Sequence, residues 1–288
     1  MLKLNQLVFR STSRRFRSRQ TAVAAQTLEN RTLLASFTPG NILVSNSPFS
    51  GGDPMLYEYS TSGTRLQAFP IPEISTFELA RDLVVDLNGN VQIYNGTFTP
   101  ELATFDTVAG TINQTRTFGN WSTGNNLTYG GIAAFNEFVF VTDTVTGSDT
   151  SAHRGIVRFN INDGTAVRFA SAQSGMIDVA VGLDGLVYAL GPAGSPNGTS
   201  IHVYDPNTLA FQRTIAMPNR NRAIAVNAAG HIFAVGDIAG IRHHGPNGIQ
   251  IGDTLSDGGI GGLADIDVDQ NGSLLIASHG GVGESDFP

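Results

Sequence analysis

A short apolar strand that follows a glycine turn recurs along most of this chain. Five copies begin at Gly40, Gly89, Gly185, Gly230 and Gly272, and a degenerate copy begins at Asn136. A spacing of about 40–50 residues between units that are made of strands is typical of propeller blades. The repeat therefore predicts an all-β chain with almost no helix.

Each repeat holds up to four strand-like segments. One apolar segment precedes the glycine turn and up to three follow, and the Asn-Gly and Asp-Gly pairs favour hairpin turns. We expect a β-propeller with six blades of four antiparallel strands, of which the first and the last are incomplete. Residues 37–72 lack a clear first strand, and residues 263–277 supply two strands without a clear third and fourth.

This order of segments resembles the repeats of NHL-type and streptogramin-lyase-like propellers over residues 40–280. The resemblance implies the propeller fold. It implies little about function, because propellers serve as enzymes, binding modules and scaffolds.

The N-terminal residues differ in composition from the rest of the chain. Residues 1–36 contain seven Lys and Arg residues against one acid, whereas the whole chain has a formal net charge of −7. A short motif closes this segment and is formed by Leu28, Glu29, Asn30, Arg31, Thr32, Leu33 and Leu34. The motif resembles the Leu-Glu-Pro-Arg-x-Leu-Leu signature of exported and surface proteins of planctomycete-type bacteria, with Asn30 at the proline position.

That resemblance implies export to the extracellular space or the cell surface of a bacterium. The alternative is a short amphipathic helix that happens to carry the same residues. We accordingly divide the chain into a basic, disordered targeting segment, residues 1–36, and a propeller domain, residues 37–288.

Composition and charge exclude several classes of function. An acidic body argues against nucleic acid as the main partner, because phosphate binding needs clustered cations. The absence of cysteine excludes disulfides, thiolate metal sites and a cysteine nucleophile. No stretch approaches the roughly 18 apolar residues of a transmembrane helix.

One segment matches the first half of a calcium-binding loop, through Asp267, Asp269 and Asn271. The twelfth position of that loop is Ser278, where calcium loops require a glutamate. A hairpin turn is therefore the favoured interpretation, and no cofactor is expected. A weakly bound calcium ion, held by these acids or by the turn acids Asp86 and Asp184, is the open alternative.

Two loops are candidates for binding a partner. The only tryptophan, Trp121, lies in a polar loop between blades, and a glycine-rich loop contains Gly258, Gly259, Gly261 and Gly262. The alternatives are a tryptophan that packs on a neighbouring blade and a loop that is merely flexible. The six histidines do not recur in register between repeats, so we interpret them as solvent or core residues.

These observations favour a non-enzymatic interaction module that is exported and binds a surface protein or a glycan, and we assign no catalytic residues. The alternative is a metal-assisted, lyase- or hydrolase-like propeller enzyme with its site at the channel mouth. The two differ in geometry, because an enzyme needs at least two His, Asp or Glu side chains that converge on one face of the channel.

Overall fold

The computed structural model describes part of the chain. The described residues are 23–27, 37–38, 40–46, 54–71, 80–95, 101–117, 130–143, 155–170, 176–182, 184–193, 198–236, 240–255, 263–269 and 272–278. All regular elements in these ranges are β-strands, so the prediction of an all-β fold is confirmed. No helix in the same ranges is long and apolar enough to cross a membrane.

Three sheets have four antiparallel strands each, arranged in chain order. The first contains β1 (Val23–Thr27), β2 (Ile42–Asn46), β3 (Met55–Tyr59) and β4 (Arg65–Pro70). The second contains β5 (Ala80–Val85), β6 (Val91–Asn95), β7 (Glu101–Asp106) and β8 (Thr111–Thr117). The third contains β9 (Ile132–Phe135), β10 (Phe138–Asp143), β11 (Gly155–Asn160) and β12 (Ala166–Ala170).

The fourth sheet has six strands because one long strand belongs to two repeats. It contains β13 (Asp178–Val181), β14 (Val187–Ala193), β15 (Gly198–Tyr204), β16 (Phe211–Val226), β17 (Ile232–Gly236) and β18 (Arg242–His244). The first half of β16 pairs with β15 and its second half pairs with β17. The fifth sheet contains β19 (Leu263–Val268) and β20 (Leu274–Ser278).

The innermost strands of the repeats form a closed ring. Contacts run from β1 to β5, then to β9, β13, the second half of β16 and β19, and from β19 back to β1. This closed order is the arrangement of a propeller around a central axis. The prediction of a β-propeller is therefore confirmed.

The number of sheets differs from the prediction. The described strands form five sheets rather than six, because β16 runs without a break from one repeat into the next. The final sheet has two strands, as expected for an incomplete last blade.

The first sheet gains its innermost strand from a place that the sequence analysis did not consider. The backbone of β1 pairs with β2 in register from Val23↔Asn46 to Thr27↔Ile42. β1 lies within the segment that we treated as disordered and outside the propeller. The sequence of β1 does not predict this pairing, because it lacks the glycine turn that marks the other innermost strands.

The glycines of the repeat are fixed by the hairpin turns. Gly89, Gly185, Gly230 and Gly272 have φ values of 83°, 77°, 73° and 80°. In each case the glycine N–H donates to the carbonyl oxygen three residues earlier. A side chain is strained at such φ values, so glycine is required there. The degenerate repeat uses Asn136 instead, at φ 52°.

The core lies between neighbouring sheets. Leu43 and Leu56 of the first sheet pack with Ile93 and Phe105 of the second, and equivalent apolar clusters follow around the ring. Each such buried side chain contributes about 1.5–3 kcal/mol. This packing holds the innermost strands in place around the axis.

Candidate active site on the propeller axis

Three aspartates occupy the same position in alternate innermost strands. Asp82 of β5, Asp178 of β13 and Asp265 of β19 each lie three residues before the last paired residue of the strand. The innermost strands between them carry small residues beside the aspartates, Gly131 just before β9 and Ala223 in β16. From β5 to β19, acidic and small residues therefore alternate around the ring.

The aspartates bind backbone N–H groups on the inner edges of the strands. Asp82 Oδ1 accepts from the N–H of Leu83 at 2.7 Å, and its Oδ2 accepts from the N–H of Ile132 in the next sheet at 2.9 Å. An innermost strand has no neighbour on its axial side, so its N–H groups there need other acceptors. The carboxylate supplies them and links two blades.

Asp178 repeats this arrangement two strands further on. Its Oδ1 accepts from the N–H of Val179 at 2.8 Å, and its Oδ2 accepts from the N–H of Ile224 at 2.7 Å. In the third copy, Asp265 Oδ1 accepts from the N–H of Ile266 at 2.8 Å. The repeated hydrogen bonds explain why an acid is favoured at this position.

The carboxyl groups face one another across the axis. Asp82 interacts electrostatically with Asp265 and Asp178, although β5 has neither β19 nor β13 as a neighbour in the ring. Asp178 likewise interacts with Asp267 of β19, which is not adjacent to β13. Groups on non-adjacent strands of a ring interact in this way when they converge on its centre.

The environment raises the pKa of two of these acids. Burial raises the pKa of Asp82 well above its usual value, and the charges of Asp265 and Asp178 raise it further. Burial also raises the pKa of Asp178 to about 7, against the opposing effect of the N–H groups of Ile224 and Val179. A carboxyl with a pKa near neutrality can give and take protons under physiological conditions.

Access to the axial acids differs. Asp178 is only 6% exposed, whereas Asp82, Asp265 and Asp267 keep part of their surface accessible. Asp82 is at the same time deeply surrounded by protein atoms, as expected for a side chain that lines a narrow axial space. The axial acids therefore lie in a setting that disfavours charge, and Asp82, Asp265 and Asp267 are the more accessible of them.

The axial acids do not form a metal site as they stand. Within the ranges that the structure describes, no three His, Asp or Glu side chains are grouped closely enough to hold a metal ion. Both oxygens of Asp82 and both of Asp178 already accept backbone N–H groups. Among the described residues the axial acids therefore form no ready-made metal site, and the metal of the alternative interpretation stays a prediction.

The turn acids are used in local hydrogen bonds. Asp269 Oδ1 accepts from the N–H of Ser273 at 2.7 Å, in the hairpin turn that was favoured over a calcium loop. Asp267 Oδ1 accepts from the N–H of Val268, and Asp86 Oδ1 accepts from the N–H groups of Asn88 and Asn90. Asn271 lies outside the described residues, so a calcium ion bound by Asp267, Asp269 and Asn271 stays a prediction.

The other predicted sites also fall outside the described residues. These are the binding candidates Trp121, Gly258, Gly259, Gly261 and Gly262 and the targeting residues Leu28, Glu29, Asn30, Arg31, Leu33 and Leu34. Both sets, and with them the extracellular or surface localisation, stay predictions. His153 and His279 are outside as well.

The described histidines fall into two groups. His202 and His244 are buried, as core residues, at 4% and 0% exposure. His231 and His243 lie side by side, with Nδ1 of the first 2.8 Å from Nε2 of the second. Equivalent positions of different repeats do not reveal this pair, because the two histidines lie on neighbouring strands of one sheet.

The axial aspartates, as a group, were also not predicted from the sequence. The signal was present, since Asp82, Asp178 and Asp265 each lie seven residues before a turn glycine. We read these segments only as strands. The alternation of acid and small residue from one repeat to the next would have indicated a shared axial role.

Comparison with known proteins supports the fold and bears on the function. No protein-family model matches the chain, and no curated protein matches it. A gluconolactonase from Xanthomonas campestris is similar in structure, with a TM-score of 0.60, 15% identity and coverage of 82% of this chain and 79% of that one. A proposed gluconolactonase has a TM-score of 0.57 and 15% identity, with 90% of each chain covered.

A third similar structure is the WD40 domain of Pan2 from Neurospora crassa. Its TM-score is 0.50 at 9% identity, with coverage of 82% of this chain and 69% of that one. At these identities the likeness concerns the fold, which is a propeller in all three comparisons.

The comparisons correct the expected function. A non-enzymatic interaction module is the wrong interpretation, because two of these similar structures are named as gluconolactonases, which are enzymes. The alternative of a hydrolase-like propeller is better supported.

Proposed function

We propose that this protein is a hydrolase-like propeller enzyme that opens a small cyclic ester, such as a sugar lactone, at the axial aspartates. The observation that carries the proposal is the placement of Asp82 and Asp178, two acids on the axis that interact with each other and accept backbone N–H groups in the same way. Burial raises the pKa of both, and a pair of such carboxyl groups can serve as a general acid and a general base. The similarity to structures named as gluconolactonases supports the choice of substrate class.

The chemistry assigns one role to each acid. Asp178, with a pKa of about 7, is in part ionised at neutral pH and accepts a proton from the attacking water. The resulting hydroxyl adds to the carbonyl carbon of the lactone. Asp82, whose pKa is raised well above its usual value by burial, donates a proton to the ring oxygen as the C–O bond breaks. The product is the open hydroxy acid.

The test is hydrolysis of D-glucono-1,5-lactone by the purified chain, followed as acid release and corrected for spontaneous hydrolysis. Asp178→Asn and Asp82→Asn each remove one proton-transfer group, so kcat should fall by about 10²- to 10⁴-fold. Asp205→Asn is the matched control. Its carboxylate also accepts backbone N–H groups, from Asn207 and Thr208, but in an exposed outer turn.

A chelator separates this proposal from a metal-assisted reaction. Hydrolysis by the wild-type chain should be unchanged in excess EDTA. Full activity of Asp178→Asn together with loss of activity in EDTA would overturn the acid–base assignment in favour of a metal. Absence of lactone hydrolysis in the folded wild-type chain would overturn the proposed function.

A further inference from the structure

The second cluster of titratable side chains lies away from the axial acids. His231 directly precedes β17, and His243 belongs to β18, the next strand of the same sheet. His231 follows the hairpin turn of its repeat, whereas the axial aspartates lie before that turn. A strand rises about 3.3 Å per residue, so the two places are on the order of 10 Å apart along the strand direction.

The sheet brings the two histidines onto one face. Phe233 pairs with His243 across the strands, and His231 lies two residues before Phe233. Side chains two residues apart in a strand point to the same face. Nδ1 of His231 and Nε2 of His243 are accordingly 2.8 Å apart.

The ring of His243 and the backbone of His231 are held in place. The ring of His243 stacks on that of Phe233, with centroids 4.7 Å apart and an interplanar angle of 8°. The backbone N–H of His231 donates to Oδ1 of Asn227 at 3.0 Å and so fixes the start of β17. Phe233 packs in turn with Leu263 and Ile266 of β19.

We propose that His231 and His243 form a two-histidine binding site for a divalent transition-metal ion. Imidazole nitrogen is the ligand that zinc and copper prefer among the side chains of this cysteine-free chain. Two nitrogens bound to one tetrahedral zinc ion at about 2.0–2.1 Å lie about 3.3 Å apart, so a ring movement of about half an ångström admits the ion. Both rings remain partly accessible, which gives the ion a path from solvent.

A site with two protein ligands completes its coordination with water, so its affinity is moderate and Cu²⁺ binds more tightly than Zn²⁺.

The experiment titrates the full chain with CuCl₂ and, separately, with ZnCl₂ in a calorimeter. We expect one equivalent of Cu²⁺ to bind. His231→Gln and His243→Gln should each weaken binding at least about tenfold, since even changes around a ligand cost 10- to 100-fold. His202→Gln should have no effect. His202 is a matched control, because it also lies between strands of the sheet and contacts the hydroxyls of Ser200 and Thr214.

Electron paramagnetic resonance of the copper complex gives a readout that needs no variant. Coupling to two nitrogen nuclei is expected for the wild-type chain. Equal copper affinity of the wild type and of a folded His231→Gln/His243→Gln double variant would overturn the proposal, as would a spectrum without nitrogen coupling. The pair would then be an ordinary hydrogen bond between two imidazole rings.

Discussion

The carboxyl group of Asp178 occupies the space that a side chain at Gly131 would need. A Cβ atom on Gly131 would overlap Asp178 Oδ1 and would lie 2.8 Å from the backbone nitrogen of Val179. Asp178 of β13 can therefore take this position only because residue 131, just before β9, is a glycine. This contact couples the third sheet to the fourth at the axis.

Gly131→Ala should displace Asp178 and weaken both of its backbone hydrogen bonds. Overpacking of this kind typically lowers the free energy of unfolding by about 1–3 kcal/mol. The rate of lactone hydrolysis should fall as well, because Asp178 is displaced. Urea unfolding measures the first effect and the kinetic assay the second. Gly245→Ala is the control, because its nearest neighbours, Asn247 Oδ1, Ile251 Cδ1 and the backbone oxygen of Ile249, would lie 3.2, 3.5 and 3.8 Å from the new Cβ. Equal stability of the two variants would contradict the steric argument.

The raised pKa of Asp178 predicts a specific dependence of stability on pH. The unfolded chain releases this proton near pH 4, whereas the folded chain holds it up to about pH 7. Between these values the folded state binds more protons, so this group's contribution to the free energy of unfolding falls as pH rises. The contribution is complete below pH 4 and is lost above about pH 7.

Urea unfolding of wild type and Asp178→Asn between pH 4 and pH 8 isolates this effect. The free energy of unfolding of the wild type, relative to the variant, should decrease over that interval by up to a few kcal/mol. The free energy of unfolding of the wild type relative to Asp82→Asn should change in the same direction, because the pKa of Asp82 is also raised. A difference that is flat with pH would show that Asp178 is ionised throughout.

A buried network of side-chain hydrogen bonds in the second sheet should stabilise the folded protein. Gln92 Nε2 donates to Asp86 Oδ2 at 2.7 Å, and Gln92 Oε1 accepts from the hydroxyl of Thr104 at 2.9 Å. Gln92→Leu leaves both partners buried without this amide, so unfolding should become easier by about 1–3 kcal/mol. Gln114→Leu, at an exposed position of β8, should change the free energy of unfolding by less than about 0.5 kcal/mol. Comparable losses in the two variants would contradict this account.

The propeller fold followed from the sequence because its cause is local. A glycine such as Gly89 is required by the φ of its own turn, and the apolar strands beside it are visible in a short window. The axial site depends instead on residues far apart in the chain. Asp82 and Ile132 meet only because two blades are neighbours in the ring.

The strand β1 was not predicted from the sequence for a similar reason. β1 carries no turn glycine and is recognisable only by its partner β2, which lies beyond residues 28–36. A pairing that spans such a distance leaves no periodic signal within the strand itself. The composition of residues 1–36 indicated a targeting segment, and the strand within it was therefore overlooked.

Arg158, which links the third and fourth sheets, should contribute to the free energy of unfolding. Arg158 Nη1 donates to the carbonyl oxygens of Pro206 and Asn207, and its guanidinium lies 4.4 Å from the ring centroid of Phe138. Arg158→Lys loses the planar group that makes both contacts, so we expect a loss of about 1 kcal/mol. Arg65→Lys is the control, because Arg65 stacks more loosely, at 5.7 Å, on Tyr57 of its own sheet. An equal loss in both variants would assign the effect to arginine in general.

The place of β1 in the ring leads to a truncation experiment. β1 contacts both β5 and β19, and these contacts join the first repeat to the last. Removal of residues 1–27 should therefore open the ring, expose the apolar faces of neighbouring sheets and lower the melting temperature by several degrees. Removal of residues 1–22 keeps β1 and should leave the melting temperature nearly unchanged. If the two truncated chains melt together, the ring closes without β1, and the propeller begins after residue 36.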